Sequence, residues 1–284
     1  MTYPQLGTDR MDIRFGATCF FNNSDEFSLA VKVAEKFPFI QYVEFRGEHP
    51  FLFPGITPME EVKHFKDILR QAGLKNTLHT TMYDINLATL NPWLKDANIV
   101  CYRKYLDLAE YLESEVIVVH GGQISDDFVN SPLRSDFLDL AEKHLCESLT
   151  ELADYGRKKG VKVALENSPP RRNETRIVFN PETQIKIIKQ INHPNLGALL
   201  DFAHAFLFKL DLVDYLQKIK PYLFEIHVHN NFGENDEHLG LAKGRIDYAP
   251  LLQRDEVQRV PFIMEIASYD EVIATLEWLK ESGF

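Results

Sequence analysis

The chain has 284 residues, 45% hydrophobic and 26% charged, a balance typical of a globular protein that excludes disordered, collagen-like and low-complexity classes. Its net charge of −11, from 31 Lys and Arg against 42 Asp and Glu, repels a polyanion unless the cations gather on one face. A nucleic-acid partner is therefore disfavoured, although bound metal ions would neutralise part of the acid excess.

Cys19, Cys101 and Cys146 are widely spaced without a CxxC pair, so neither a disulfide framework nor a thiolate zinc site is indicated. The start, "MTYPQLGTDRMDIRFG", lacks a basic segment leading into an apolar one, and no window approaches about 18 uninterrupted apolar residues. A cytoplasmic protein without membrane contact is expected.

In chain order, β-rich runs fall at 12–20, 41–47, 75–81, 114–122, 161–168, 196–204, 222–231 and 260–266. Between them lie amphipathic segments. "TPMEEVKHFKDILRQAG" opens on Thr57 and Pro58 as cap and first-turn proline and stops at Gly73. "RSDFLDLAEKHLCESLTELADYGRKKG" stops at Gly160, and "SYDEVIATLEWLKESG" comes last. Parallel neighbours need crossover connections, so eight alternations of strand and helix predict an α/β fold, a single (β/α)8 TIM barrel over residues 1–284. An open doubly wound sheet is the alternative, but no GxGxxG follows the first strand. The longest irregular stretches, 83–98, 169–180 and 232–248, each follow a strand. In a barrel these are loops of the C-terminal rim, where active sites are built.

Ionisable residues collect at the strand ends. They are Glu44 and Arg46, His79, His120, Glu166, Asp201 with His204, His227 with His229, and Glu265. Six of the ten histidines lie at or just after strand C-termini, His238 being the sixth. So many carboxylates and imidazoles on one rim would be destabilising unless neutralised. Divalent ions do this, and mixed His/Asp/Glu ligation suits Zn²⁺, Mn²⁺ or Fe²⁺ better than Ca²⁺. His227, facing inward from its strand, is a candidate ligand; His229 shares its face by alternation. Arg14, Glu44, Arg46 and Glu225 also alternate inward and read as an ion-paired layer below the metals.

The runs "LHTTMYDINLAT", "VALENSPP", "LLDFAHAF", "HVHNN", "DEHLGLAKGRID" and "FIMEI" resemble the xylose isomerase-like TIM-barrel superfamily, which includes sugar and sugar-phosphate isomerases and epimerases and endonuclease IV. The resemblance runs from the second strand to the eighth. It implies a central metal site of Glu166, Asp201, His227 and Glu265. It also implies a second site of His79 and His120 bridged by Glu166, and a third of His204, Asp236 and His238, for one to three Zn or Mn ions per chain. His229 has no counterpart among these ligands and is a candidate for substrate contact, together with Lys243, Arg245 and Arg171.

On this reading the chain is a divalent-metal-dependent isomerase or epimerase of a small sugar or sugar phosphate, with Glu166 and Glu265 as the proton-transferring catalytic pair. The alternative is an endonuclease IV-like multi-zinc phosphodiesterase acting on abasic DNA or another phosphate ester. The complete three-metal set speaks for it. "DFAHAFLFKLD" in place of the endonuclease branch's usual run, Asn230 where Asp is more usual, and the lack of a basic, aromatic-bearing loop speak against it.

Overall fold

The computed structural model describes residues 13–20 and 25–283. Eight strands close into a parallel barrel: β1 (Arg14–Thr18), β2 (Tyr42–Arg46), β3 (Lys75–His79), β4 (Val116–His120), β6 (Lys162–Glu166), β8 (Leu196–Asp201), β9 (Leu223–Val228) and β10 (Pro261–Met264). The ring runs β1-β10-β9-β8-β6-β4-β3-β2. Two short strands, β5 (Gln123–Ser125) and β7 (Glu174–Arg176), pair antiparallel outside it, tying together the loops after β4 and β6.

Alternation along the strands sorts side chains into two layers. Val116, Val118, Ala164 and Leu199, with Phe224, fill the lower barrel interior. Their neighbours Ile117, Val119, Val163, Leu165, Leu200 and Ile226 join the larger core between strands and helices. Gly197 makes room for Phe224, because a Cβ there would lie 2.5 Å from the ring.

The inward parity that carries Val118 and Ala164 also carries His120 and Glu166 one pleat further up. Register then levels these ends: Arg46 pairs with His79, His120 with Glu166, and Asp201 with His227. A layer of ionisable groups thus closes the barrel at its C-terminal mouth.

Glycine stops the helices where expected, Gly73 and Gly160 standing at φ 67° and 71° after Met59–Ala72 and Arg134–Lys159. Three expectations change. Thr57 does not cap its helix; its hydroxyl accepts from Phe53 N. The run 196–204 stops being strand at Asp201, whose carboxylate accepts from His204 N and caps the helix Phe202–Leu207. The irregular stretch 83–98 ends early because Asn91 accepts from Trp93 N and Leu94 N and starts the helix Pro92–Leu112. Residue 12 of the first expected run lies outside the described residues.

Candidate metal centre

Of four groups of ligand-type atoms, the atoms of each lying within 4.8 Å of one another, three assemble at the mouth and the fourth, Glu44, Glu225 and His227, lies beneath them. His79, His120 and Glu166 come from the adjacent strands β3, β4 and β6. Glu166, Asp201, His227 and Glu265 come from β6, β8 and β9 and the end of β10, four consecutive staves. His204, His229, Asp236 and His238 come from the helix after β8, the end of β9 and the loop that follows it. Glu166 belongs to the first two groups. Its Oε2 lies 3.0 Å from His120 Nε2 and 3.5 Å from His79 Nε2, while its Oε1 lies 3.9 Å from His227 Nδ1.

Hydrogen bonding aims the rings. A carbonyl only accepts, so His79 Nδ1 donates to Thr80 O (2.8 Å), His204 Nδ1 to Asn167 O (2.9 Å) and His238 Nδ1 to Glu265 O (2.8 Å). Each neutral ring then presents its Nε2 lone pair to the cluster. His227 is turned the other way, with Nε2 3.0 Å from Glu44 Oε2 and Nδ1 facing Glu265 Oε2 at 3.4 Å.

Many of these buried atoms have no hydrogen-bond partner: both oxygens of Glu166, Asp201 Oδ2, Asp236 Oδ1, His120 Nδ1, His227 Nδ1 and both nitrogens of His229. Unsatisfied buried groups each cost about 1–3 kcal/mol. Divalent ions would satisfy a set of N and O donors of this kind, so the residues fit such ions.

Electrostatics points the same way. Burial pulls His79 down, but Glu166, Glu265 and Glu44 outweigh it and raise the ring to about 9. Burial likewise opposes a rise in His238, and Asp236 with Glu265 lifts it to about 9. Burial pushes Glu166 up, yet His120, His204 and His79 hold its carboxyl well below the usual range. Without metal, imidazolium charge balances the carboxylates; a bound cation would take over that task as protons left.

Glu44 and Glu225, both fully buried, sit beneath His227, with Glu225 Oε1 3.4 Å from its Nε2 and 3.0 Å from the Thr77 hydroxyl. Burial, with Glu44 adding to it, raises Glu225 to about 8. This is the expected inward layer only in part. Arg14 is exposed at the opposite mouth, near Lys162 and Arg259. Arg46 pairs with Glu26 at 3.2 Å on the rim, its guanidinium over the rings of Phe20 and Phe51. The acids below the cluster therefore face a histidine and not an arginine.

A cavity of about 280 Å³ opens above the groups, touching Glu166, Glu265, His79, His120, His204, Asp236 and His238. Its walls include Thr18, Phe20, Met82, Tyr83 and Arg171. Of the candidate substrate contacts, Arg171 reaches this wall, its guanidinium over the Tyr83 ring. Lys243 pairs with Glu271 on the helix Tyr269–Glu281, and neither it nor exposed Arg245 is part of the lining. His229 is fully buried, off the lining and among the third group of donors. It therefore stands among the donors and not on the cavity wall. Of the wall residues, Glu48 carried no sequence signal, Phe20 closed the first expected run, and Met82 and Tyr83 fell within the run "LHTTMYDINLAT" without being singled out.

Residues 34–282 match the model of the xylose isomerase-like TIM barrel family. An uncharacterised protein of Methanocaldococcus jannaschii is 28% identical over 197 residues, 69% of this chain and 64% of the relative's length. A probable endonuclease 4 of Thermoplasma acidophilum is 25% identical over 221 residues, 72% of each chain. Among solved structures, a D-tagatose 3-epimerase-like protein superposes with a TM-score of 0.79 at 22% identity, over 95% of this chain and 97% of that one. With the barrel, its mouth and the family match in agreement, this chain belongs to the xylose isomerase-like TIM barrel family.

Proposed function

We propose that the chain is a divalent-metal-dependent isomerase or epimerase of a small sugar or sugar phosphate. The observation that carries this reading is the pairing of two carboxylates, Glu166 and Glu265, on one cavity of about 280 Å³, a size for a small molecule and not for a duplex. They stand three staves apart in the ring, so they address a bound molecule from different sides. The sugar epimerase fold of the structural neighbour is consistent with it.

Glu166, Asp201, His227 and Glu265 would hold the central ion; His79 and His120 with Glu166 a second; His204, Asp236 and His238 a third. Bound there, an ion polarises a carbonyl and its neighbouring hydroxyl. Glu265, 9% exposed, takes the proton from the carbon beside that carbonyl, and the C–H electron pair delocalises toward the carbonyl oxygen. Glu166, on the other side, passes on a proton from an imidazole that touches it to the opposite face of that carbon and inverts the centre, Glu265 then releasing its proton to solvent; alternatively Glu265 returns its own proton at the neighbouring carbon and relocates the carbonyl. His227, held by Glu44, keeps the floor rigid. Phe20, Met82 and Tyr83 cover the apolar face of the substrate, and Arg171 supplies one cation for a phosphate or acid end.

A second reading, phosphoester hydrolysis, is favoured by one observation: the donors for all three ions are present together. Duplex DNA fits it poorly. Arg46 and Arg171 are the cavity's cationic side chains among the described residues, and Arg46 is paired with Glu26, whereas tracking a backbone requires several free cations.

The test loads the protein with manganese or zinc. It follows solvent deuterium entering the carbon beside the carbonyl in a panel of ketoses and their phosphates, next to incision of an abasic duplex and hydrolysis of small phosphodiesters. Exchange in at least one sugar, abolished in Glu265→Gln, is expected. Efficient ester cleavage with no exchange in any sugar would reverse the order of the two readings.

A further inference from the structure

We infer that His229 is a metal ligand, which with His204, Asp236 and His238 completes a closed four-donor zinc site that fastens the loop 232–248 to the barrel. The inference rests on the metal-binding reading of the mouth but not on which reaction occurs there.

His229 lies just past β9, fully buried, with its carbonyl held by the Tyr248 hydroxyl. Among the described residues it is the one histidine with both ring nitrogens buried and unpartnered. A buried ring left in that state forfeits the hydrogen bonds it had in water, at about 1–3 kcal/mol for each group. Such a loss at the centre of a cluster of donors points to an acceptor of lone pairs that is not a protein group.

The surroundings specify that acceptor. His229 Nε2 lies 3.5 Å from Asp236 Oδ1, an oxygen that is itself buried without a partner. Asp236 Oδ2 lies 3.3 Å from His204 Nε2 and 3.4 Å from His238 Nε2. Three imidazoles therefore converge on one carboxylate at 3.3–3.5 Å. Two ligands each about 2.0–2.1 Å from a tetrahedral zinc ion stand about 3.3 Å apart. The His229 ring stacks on His238 at 4.0 Å and meets His204 edge-on at 5.6 Å, so packing holds it toward this centre. Its Nε2 is also 3.3 Å from Asp201 Oδ2, but Asp201 faces Glu166, His227 and Glu265 in the central group.

Three histidines and one carboxylate saturate a tetrahedral ion, the mark of a structural zinc site, whereas a catalytic site keeps a position open. Before His229 is counted, this group has the three-donor composition of an open site; with it, the group is closed. The ion would join the helix Phe202–Leu207, the end of β9 and the loop bearing Asp236 and His238.

The experiment uses full-length protein stripped of metal and reloaded with Zn²⁺ or Co²⁺. In the wild type, Co²⁺ should give the intense visible bands of four-coordinate cobalt. His229→Gln should lose one zinc equivalent, or bind it at least about 100-fold more weakly in competition with a chromophoric chelator, a larger effect than loss of an outer partner causes. Its cobalt bands should weaken, while the metal-free fold, read by circular dichroism, is kept. In His229→Cys, a sulfur-to-cobalt charge-transfer band in the near ultraviolet should appear, since a thiolate at that position would touch the ion. Unchanged stoichiometry, affinity and cobalt spectrum in His229→Gln would overturn the inference. So would His229→Cys without the new band, which decides the matter even if the glutamine variant fails to fold. Sugar exchange or ester cleavage enters neither readout, so failure of the proposed reaction leaves this result standing.

Discussion

Replacement of Asn230 by Ala tests how the fold builds the site. Asn230 is fully buried beyond β9. Its amide donates to Leu241 O (2.6 Å) and Ile246 O (3.0 Å) and accepts from Asn231 N (2.9 Å) and Ile246 N (3.0 Å). One side chain thus folds the loop 232–248 back on its own strand, with Gly244 packed so close that a Cβ would lie 2.1 Å from Asn230 Oδ1. At about 1 kcal/mol net per hydrogen bond, four lost bonds cost about 4 kcal/mol, equivalent to a fall of roughly 8–16 °C in Tm for a chain of this size. Scanning calorimetry of metal-free Asn230→Ala measures that loss. Metal analysis should show a weakened site at Asp236 and His238, with the His79, His120 and Glu166 group still competent. A variant that unfolds within about 1 kcal/mol of the wild type and retains its full metal content would refute the claim that this amide organises the loop.

Glu166→Gln should bind fewer ions, because one carboxylate serves two groups, and should lose roughly 100-fold or more in turnover; full metal content and turnover would remove Glu166 from the site. Glu44→Gln should leave the fold in place but weaken metal about 10- to 100-fold, since Glu44 orients His227, and equilibrium dialysis with zinc would show it. Metal loading should release protons. His79 and His238, both raised to about 9, are mostly protonated at pH 7.5, and loading displaces at least those two protons, whereas above about pH 10 the release from these rings should vanish in a pH-stat titration. The same shifts fix the sign for the metal-free protein. The two rings contribute stability fully below their unfolded value of 6.5 and lose it as pH rises through about 9, so denaturant midpoints should fall across that window.

The barrel was legible because its evidence is local and repeated. Short β-rich runs buried on both faces recur between amphipathic segments, and Gly73 and Gly160 end their helices through backbone conformations readable one residue at a time. The pair β5 and β7 was not legible, since three-residue strands inside loops have too few alternations to register. Asp201 was read as strand and ligand, but its second task as a helix cap depends on the chain turning at that residue. The case of His229 is more instructive. Alternation correctly places it on the same side as His227, yet what it meets depends on the return of Asp236 and His238, and that return is set by hydrogen bonds from Asn230 to residues 11 and 16 positions away. Lys243 shows the converse, because its partner Glu271 belongs to a helix after the last strand, and sequence distance conceals the pairing that takes it from the cavity.

On the proposed reading, the number of ions at the mouth, and not the barrel, would decide between the two chemistries. Proton transfer from two sides needs two carboxylates free to meet a carbon atom. Glu265 keeps some exposure at 9%, but Glu166 has none and is ringed by His79, His120 and His204. With only the central group filled, one Glu166 oxygen remains available to exchange a proton with the substrate or with those imidazoles. With the His79 and His120 group filled as well, both its oxygens serve ions, one carboxylate is left to act as a base, and paired ions suit displacement at phosphorus. The closed site proposed at His229 leaves this balance unchanged, because an ion saturated by protein donors would fasten the loop and offer no open position to either reaction. Occupancy of the group at His79 and His120 is therefore the quantity on which the choice of reaction turns, and the ratio of sugar exchange to ester cleavage should track that occupancy as metal is titrated in.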